Sequence, residues 1–452
     1  MSVTKNQMVE LFIEGITSEG NGVGRYQGQA IFVPLTAPGE RVQVQIAKVA
    51  KQYAYGILRQ VLEPAACRIE QDCPVYRRCG GCQLRHITYE EELRQKQQMV
   101  ADCFARIGKI TAEMLPILPS PQTEHYRNKV QFPVQEDSQG KPQIGFFAPR
   151  SHRLVAAQNC LLQPTLLNEI AQYCCVLMEK YHIPAYNEQT HKGLVRHIYL
   201  RQGYHSGQVL LCLVINGTNL PSGSKFCADI QQKFPEVCSI VLNINQQKTN
   251  VITGTKSVCL VGKEYIQDNM CEVPVQIGPL SFYQVNTPAA EQLYHVAADF
   301  AQLKPTDVLL DLYCGMGTIG LSMYHQCKQL IGVEVIPEAV ESAWNNAKAM
   351  NAENVRFLCA DAGTAATQLA KEGLQPSVIV LDPPRKGCDE ATLNAVVEMA
   401  PERIVMISCN PATAARDVAI LCGKGYVAQK IQAADLFPRT KHIETIVQLS
   451  RV

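Results

Sequence analysis

The chain has 452 residues, too many for one ordinary hydrophobic core, so two to four domains are expected. Hydrophobic residues make up 46% and charged residues 18%, which excludes a disordered chain, and a net charge of +1 leaves any nucleic-acid partner to local basic patches. No run of eighteen apolar residues offers a membrane span.

The opening MSVTKNQMVELFIEG lacks the basic segment and apolar stretch of a secretion signal, so a reducing cytoplasm is expected. There, nineteen scattered cysteines suggest metal ligation or catalysis more than disulfides.

Residues 8–62 predict a small all-β barrel. VELFIEGI and ERVQVQIAKV alternate, AIFVP and YAYGILRQVLEP are strand-like, and GNGVGRYQGQ is turn-rich. Five short strands with glycine turns fit an OB-like barrel, a scaffold that often binds RNA.

Residues 63–85 are irregular and cysteine-rich. DCPVYRRCGGCQLRH sets Cys73, Cys79 and Cys82 in a C-x5-C-x2-C pattern. Thiolates two residues apart can meet on one metal, and Gly80 and Gly81 let the backbone fold tightly around it. Zinc and iron–sulfur clusters both accept four thiolates, with Cys67, Cys103 and Cys160 as candidates for the fourth. The pattern is not the C-x3-C-x2-C of radical enzymes that cleave S-adenosylmethionine. The next stretch, HITYEEELRQKQQMVADCFARI, is charged and helical, with Leu93, Val100, Phe104 and Ile107 at helical spacing.

A mixed region follows to about residue 280, with strand-like LVRHIYLR, QVLLCLVIN and CSIVLNIN. From about residue 281 strands alternate with helical runs: DVLLDLYC, LIGVEVI, VRFLCAD, VIVLDPP, RIVMISC, GYVAQKIQAADLF and IETIVQL. That alternation predicts a doubly wound α/β domain. Its first strand, Val308–Leu312, runs into Gly315 and Gly317, where backbone can approach a ligand at a helix N-terminus. Glu334, at the end of the second strand, can accept both ribose hydroxyls of a nucleoside. The string G-x-G-x-x-G occurs through Gly320, as in dinucleotide sites. Asp311, however, puts an acid where a pyrophosphate would gather negative charge, which favours S-adenosylmethionine with its ammonium and sulfonium. Asp361 and Asp382 end the third and fourth strands, so successive acids line the edge at which open α/β sheets bind ligands.

Cys409 follows the next strand, in RIVMISCNP, and would face the same crevice. Local pattern fits both a packed cysteine and a nucleophile. Glu444 lies on the otherwise apolar last strand, either paired with Arg439 or Lys441 or acting as a base.

CPVYRRCGGC, FYQVN (Phe282–Asn286), DLYCGMGTIGL, LDPPRKG, SCNP and HIET together resemble the RNA uracil-C5 methyltransferase family. The nearest branch is the bacterial 23S ribosomal RNA enzymes that carry an N-terminal TRAM barrel. The resemblance implies a multidomain α/β protein: a TRAM barrel over 1–62, a central α+β domain with an iron–sulfur cluster over 63–280, and a Rossmann-like methyltransferase domain over 281–452. It implies a [4Fe–4S] cluster on Cys73, Cys79, Cys82 and Cys160. It also implies S-adenosylmethionine contacts at Gln284, Tyr313, Glu334, Asp361 and Asp382, with Cys409 as nucleophile and Glu444 as base. Thr318 stands where some relatives carry Asn.

Such an enzyme needs these groups because C5 of uracil is a poor nucleophile. Thiolate addition at C6 makes it reactive, and the C5 proton must then leave to expel the thiolate. The target base must leave its stack, at a cost of a few kcal/mol. Basic stretches expected to face RNA phosphates hold Lys192, Arg196 and Arg201, Arg150 and Arg153, and Arg127 and Lys129. The expected partner is 23S ribosomal RNA, and the expected state a cytoplasmic monomer. Rival readings are a transfer-RNA uracil methyltransferase, a cytosine-C5 enzyme, whose Pro-Cys and Thr-Cys motifs do not accompany SCNP, and a non-catalytic RNA-binding iron–sulfur protein.

Overall fold

The computed structural model describes residues 3–452. Its first unit is a closed barrel of β1 (Met8–Ile16), β2 (Asn21–Tyr26), β3 (Gln29–Pro34), β4 (Arg41–Val49) and β5 (Tyr53–Glu63), in the order β1-β2-β3-β5-β4. Alternation builds it: Val9, Leu11 and Ile13 of β1 and Val42, Val44 and Ile46 of β4 point into one small core while their neighbours stay wet.

After the cysteine loop comes α1 (Tyr89–Cys103), capped by Thr88, whose hydroxyl accepts the Glu91 N–H at 3.4 Å. It is followed by β6 (Glu113–Leu118), β7 (Lys129–Glu136), β8 (Pro142–Phe147), β9 (Leu154–Ala156), α2 (Thr165–Lys180), β10 (Val195–Gln202), β11 (Val209–Ile215), α3 (Gly223–Lys233), β12 (Val237–Ile244) and β13 (Lys256–Val261). A seven-stranded sheet runs β13-β12-β11-β10-β7-β8-β9, with α2 and α3 covering one face. Tyr199, Leu210, Cys212 and Val241 on the other face join the neighbouring core, so β10 and β11 are buried on both sides. The hairpin of β14 (Ile266–Met270) and β15 (Val273–Ile277) lies in that contact.

The last unit contains α4 (Thr287–Ala301), β16 (Val308–Leu312), α5 (Thr318–Met323), β17 (Gln329–Glu334), α6 (Pro337–Ala349), β18 (Val355–Cys359), α7 (Ala362–Lys371), β19 (Val378–Leu381), α8 (Glu390–Met399), β20 (Arg403–Ser408), α9 (Pro411–Cys422), β21 (Tyr426–Ala434) and β22 (Glu444–Arg451). Its sheet order is β18-β17-β16-β19-β20-β22-β21-β6. β16 to β20 are parallel, whereas β22 runs antiparallel to both β20 and β21. Helices α4, α5 and α6 pack on one face and α7, α8, α9 and α1 on the other. The order reverses between β16 and β19, and at such a switch point an open sheet leaves a crevice at its strand ends.

Two segments from well before residue 281 belong to this sheet: β6 forms its edge beside β21, and α1 covers its face near α9. The edge strand β21 would otherwise offer an unpaired ladder, which β6 satisfies.

Candidate active site

The SCNP corner is locked by its own side chains. Asn410 caps α9 by accepting the Ala412 N–H at 3.2 Å, with Pro411 in the first helical turn, where it needs no N–H partner. The Asn410 Nδ2 donates to Arg385 O at 3.0 Å, and the Thr413 hydroxyl does so at 3.4 Å. These bonds bring the LDPPR loop beside Cys409. On the other side, Ser408 and Thr445 form the last cross-strand pair of β20 and β22, so Cys409 and Glu444 follow on opposed chains.

The electrostatics of this corner are those of acids crowded together. Burial raises the Asp382 carboxyl to about 7. Burial and then the charge of Asp382 push the Glu444 carboxyl well above the usual range, opposed by Arg385. Burial, Glu444 and Asp382 push the Cys409 thiol up to about 11, again opposed by Arg385. One cation thus offsets both Cys409 and Glu444, and the N-terminus of α9 adds a favourable dipole.

A second cluster lies at the ends of β16 and β17. Asp311 is fully buried, and its Oδ2 accepts the Gly320 N–H at 3.0 Å while Oδ1 has no partner. Burial raises this carboxyl to about 8. A Cβ on Gly320 would fall 2.9 Å from that same Oδ2, so only glycine lets the helix approach. An orphaned buried carboxylate oxygen suits a cationic ligand such as an ammonium. Glu334 accepts N–H bonds from Gly315 at 3.1 Å, Val335 at 2.8 Å and Ile336 at 2.9 Å, which fixes its carboxylate at the strand tip. Gly315 has φ +56° and nothing within 4 Å of where a Cβ would stand, leaving open space at the turn.

Gln284 belongs with this cluster. Its carbonyl accepts Asn128 Nδ2 at 2.8 Å, and its side chain meets the buried Tyr294 hydroxyl together with Thr318, next to Asp382. Asn286 of the same FYQVN stretch donates to Ser120 Oγ and to Leu436 O, each at 3.0 Å. Asn128, Tyr294 and Arg385 are the residues sequence reasoning missed as parts of the site. Asn128 stood within a basic stretch, Arg385 within the LDPPRKG motif read for Asp382, and Tyr294 sits in an apolar helical pattern that carries no polar signal.

Two expected contacts have other partners. The Tyr313 hydroxyl lies 3.3 Å from Thr392 Oγ1 on α8, and the Tyr313 backbone holds φ +67°. Asp361 is exposed and caps α7, its Oδ1 accepting the Thr364 N–H at 3.1 Å. A cleft of about 750 Å³ opens beside Tyr294 between His205, Glu291, His295 and His325, not at the strand tips themselves.

The basic residues divide. Arg150, Arg153 and Lys192 are exposed. Arg196 is buried and donates to Asn245 O at 2.9 Å, Gln247 O at 2.7 Å and Thr249 O at 3.0 Å. Arg201 is buried and donates to the Tyr199 hydroxyl and to Ser281 O. The expectation that these two face RNA is corrected: β10 is covered on both faces and has no wet side for a guanidinium. Lys129 and Arg127 are half-buried, and burial lowers the Lys129 ammonium to about 8.

The four cysteines named for a cluster are electrostatic neighbours of one another. Cys160 feels Cys79 and Cys73, and Cys82 feels Cys160 and Cys79, while Arg127 opposes the charge of Cys79, Cys82 and Cys160. Burial, then Cys160, raises the Cys82 thiol to about 12. Cys67 instead neighbours Glu91 and Cys103 neighbours Asp102. Among the described residues, no three His, Cys, Asp or Glu side chains are close enough to hold one metal ion, so the thiols do not form a closed zinc-like site. No described helix is long and apolar enough to cross a membrane.

The family model described as tRNA (Uracil-5-)-methyltransferase matches residues 228–452, and the TRAM domain model matches residues 2–58. A protein of Clostridium tetani named an uncharacterized RNA methyltransferase is 40% identical over 99% of this chain and 97% of its own. One of Bacillus cereus with the same name is 40% identical over 100% and 98%. The crystal structure of Pyrococcus abyssi tRNA (uracil-54, C5)-methyltransferase with S-adenosyl-L-homocysteine superposes with a TM-score of 0.78 over 98% of this chain and 100% of that one. At 24% identity this likeness speaks for the fold.

Proposed function

Because the chain belongs to the TRAM-domain RNA uracil-C5 methyltransferase family, whose members use S-adenosylmethionine, we propose that it converts a uridine of 23S ribosomal RNA to 5-methyluridine in the cytoplasm. The observation that carries the reading is the opposition of Cys409 and Glu444 across β20 and β22, with Asp382 and Arg385 beside them.

S-adenosylmethionine supplies the electrophilic methyl group. The Asp311 Oδ1 and the fixed Glu334 carboxylate suit its ammonium and its ribose, with Gln284 and Asp382 completing the approach and Tyr313 and Asp361 at the margin. Cys409 adds through sulfur to C6 of the flipped uracil, and the ring electrons move toward C5, which takes the methyl. Glu444 then removes the C5 proton, the C5–C6 double bond re-forms, and the thiolate leaves. Arg385 favours the ionised forms of both Cys409 and Glu444. Asp382, poised near neutrality, can hydrogen-bond the uracil edge.

Cys73, Cys79, Cys82 and Cys160 would hold the [4Fe–4S] cluster. Each of the four would supply a thiolate to iron. Arg127 would offset the cluster's negative charge. Iron and acid-labile sulfide in anaerobically purified protein are the expected result, and stoichiometric zinc would refute this ligand set.

Nucleoside mass spectrometry of unmodified 23S ribosomal RNA incubated with the protein and S-adenosylmethionine tests the activity. New 5-methyluridine is expected, absent with Cys409→Ala. The second reading is transfer RNA, favoured by the name of the matching family model. Methylation of transfer RNA alone would replace the ribosomal substrate with that one.

A further inference from the structure

Gln83 joins three parts of the chain, and each of its polar groups is engaged by a different partner. Its backbone N–H donates to Arg439 O at 3.0 Å, and its carbonyl accepts the Tyr76 hydroxyl at 2.9 Å. Its Nε2 donates to Gly80 O at 2.9 Å within the cysteine loop, and its Oε1 accepts the Lys441 N–H at 3.3 Å. The barrel closes on it from the other side: a Cβ on Gly20 would fall 2.7 Å from the Gln83 Cβ, and the adjacent Glu19 pairs with Lys441.

The segment so gripped is held in an unusual shape. Arg439 has φ +68°, its carbonyl accepts both the Gln83 and Leu84 N–H groups, and its own N–H donates to Glu92 Oε1 at 2.7 Å. A bulky residue stays left-handed only where its surroundings over-determine it. From Lys441 the chain passes through His442 and Ile443 directly into Glu444 at the head of β22.

We propose that Gln83 is a positioning residue for Glu444: it transmits the set of the cysteine loop and the barrel, through the Arg439–Lys441 backbone, to the proton-accepting carboxyl. The inference rests on the reading of Glu444 as the base. Without the Gln83 side chain, the Lys441 N–H loses its acceptor and the turn into β22 loosens, so methyl transfer proceeds but release of the thiolate slows.

Gln83→Ala and Gln83→Glu test this, with iron content measured on each. In Gln83→Ala, turnover should fall about tenfold while the methylated protein–RNA adduct accumulates on denaturing gels, with S-adenosylmethionine affinity and iron content unchanged. Gln83→Glu, which keeps an acceptor for the Lys441 N–H, should recover most of the rate. Hydrogen exchange over residues 438–446, which needs no RNA, should quicken severalfold in Gln83→Ala. Wild-type turnover, a fall without adduct, loss of iron in step with activity, or unchanged exchange would each overturn the proposal. Should the wild type methylate no RNA, the activity reading fails and the exchange measurement alone decides the positioning.

Discussion

Cys409 and Glu444 face each other one step beyond the Ser408–Thr445 pair that ends the β20–β22 ladder. Because β22 runs antiparallel to β20, the end of one strand and the start of the other fall at the same sheet edge. A thiol and a carboxyl from separate motifs thereby share one crevice.

Removing the thiol should remove the reaction. Cys409→Ala is expected to lower methylation by at least about a thousandfold, since addition to C6 has no substitute nucleophile. Equilibrium binding of S-adenosylmethionine should be retained. Turnover within tenfold of wild type would assign Cys409 to packing.

Glu444→Gln should separate addition from release. Turnover is expected to fall about a hundredfold or more while covalent protein–RNA adduct builds up on a denaturing gel. In the wild type, burial makes both Cys409 and Glu444 weaker acids, and the Cys409 thiol, pushed up to about 11, is mostly protonated near neutrality, so the single-turnover rate should climb from pH 6.5 to 9. A flat profile would show that neither ionisation limits the reaction.

The buried carboxyls also set a stability slope. In the folded chain Asp382 and Asp311 titrate at about 7 and about 8, against 3.8 when unfolded, so above pH 6.5 the folded state holds protons that the unfolded state has released. Stability therefore falls as pH rises through this window. His86, His197 and His442, lowered to about 4, act in the opposite sense but only up to their ordinary 6.5. Ligand-free protein should lose roughly 2 kcal/mol between pH 6.5 and 8, and Asp382→Asn should remove about a third of that slope. Denaturant melts at the two pH values measure it, and a rise in stability would contradict the assignment.

Lys96 is fully buried, with Nζ 2.8 Å from Glu92 Oε1 and 2.7 Å from Asp435 Oδ1. It ties α1 to the turn that leads from β21 to Glu444. Lys96→Met would leave buried Asp435 without its cation and Glu92 with only Arg439 at 3.7 Å, at an expected cost of about 3–5 kcal/mol. Urea unfolding gives the number, and a loss below about 1 kcal/mol would mean the carboxyls are neutral.

Arg150, Arg153 and Lys192 are the exposed members of the basic stretches. Replacing all three by Ala should weaken RNA binding and flatten the slope of log Kd against log salt by about 2–3. Arg196→Ala should instead destabilise the protein, because its guanidinium holds three loop carbonyls. An unchanged salt slope in the triple variant would move the RNA path elsewhere.

The sequence by itself determined the parts whose signals are local. Alternation in β1 and β4 specified the barrel, strand–helix alternation after residue 281 specified the doubly wound unit, and glycine spacing with acids at strand ends specified the crevice. Tertiary structure decided what depends on chain segments meeting. The burial of Arg196 and Arg201 follows from a second layer packing on β10, which periodicity within one strand cannot reveal. The recruitment of β6 to β21, the grip of Gln83 on the turn before Glu444, and the approach of Arg385 to Cys409 through Asn410 all pair residues remote in sequence. Local pattern records which face of an element is apolar; what comes to lie against that face, and which charges are thereby stripped of water, is fixed only when the layers close.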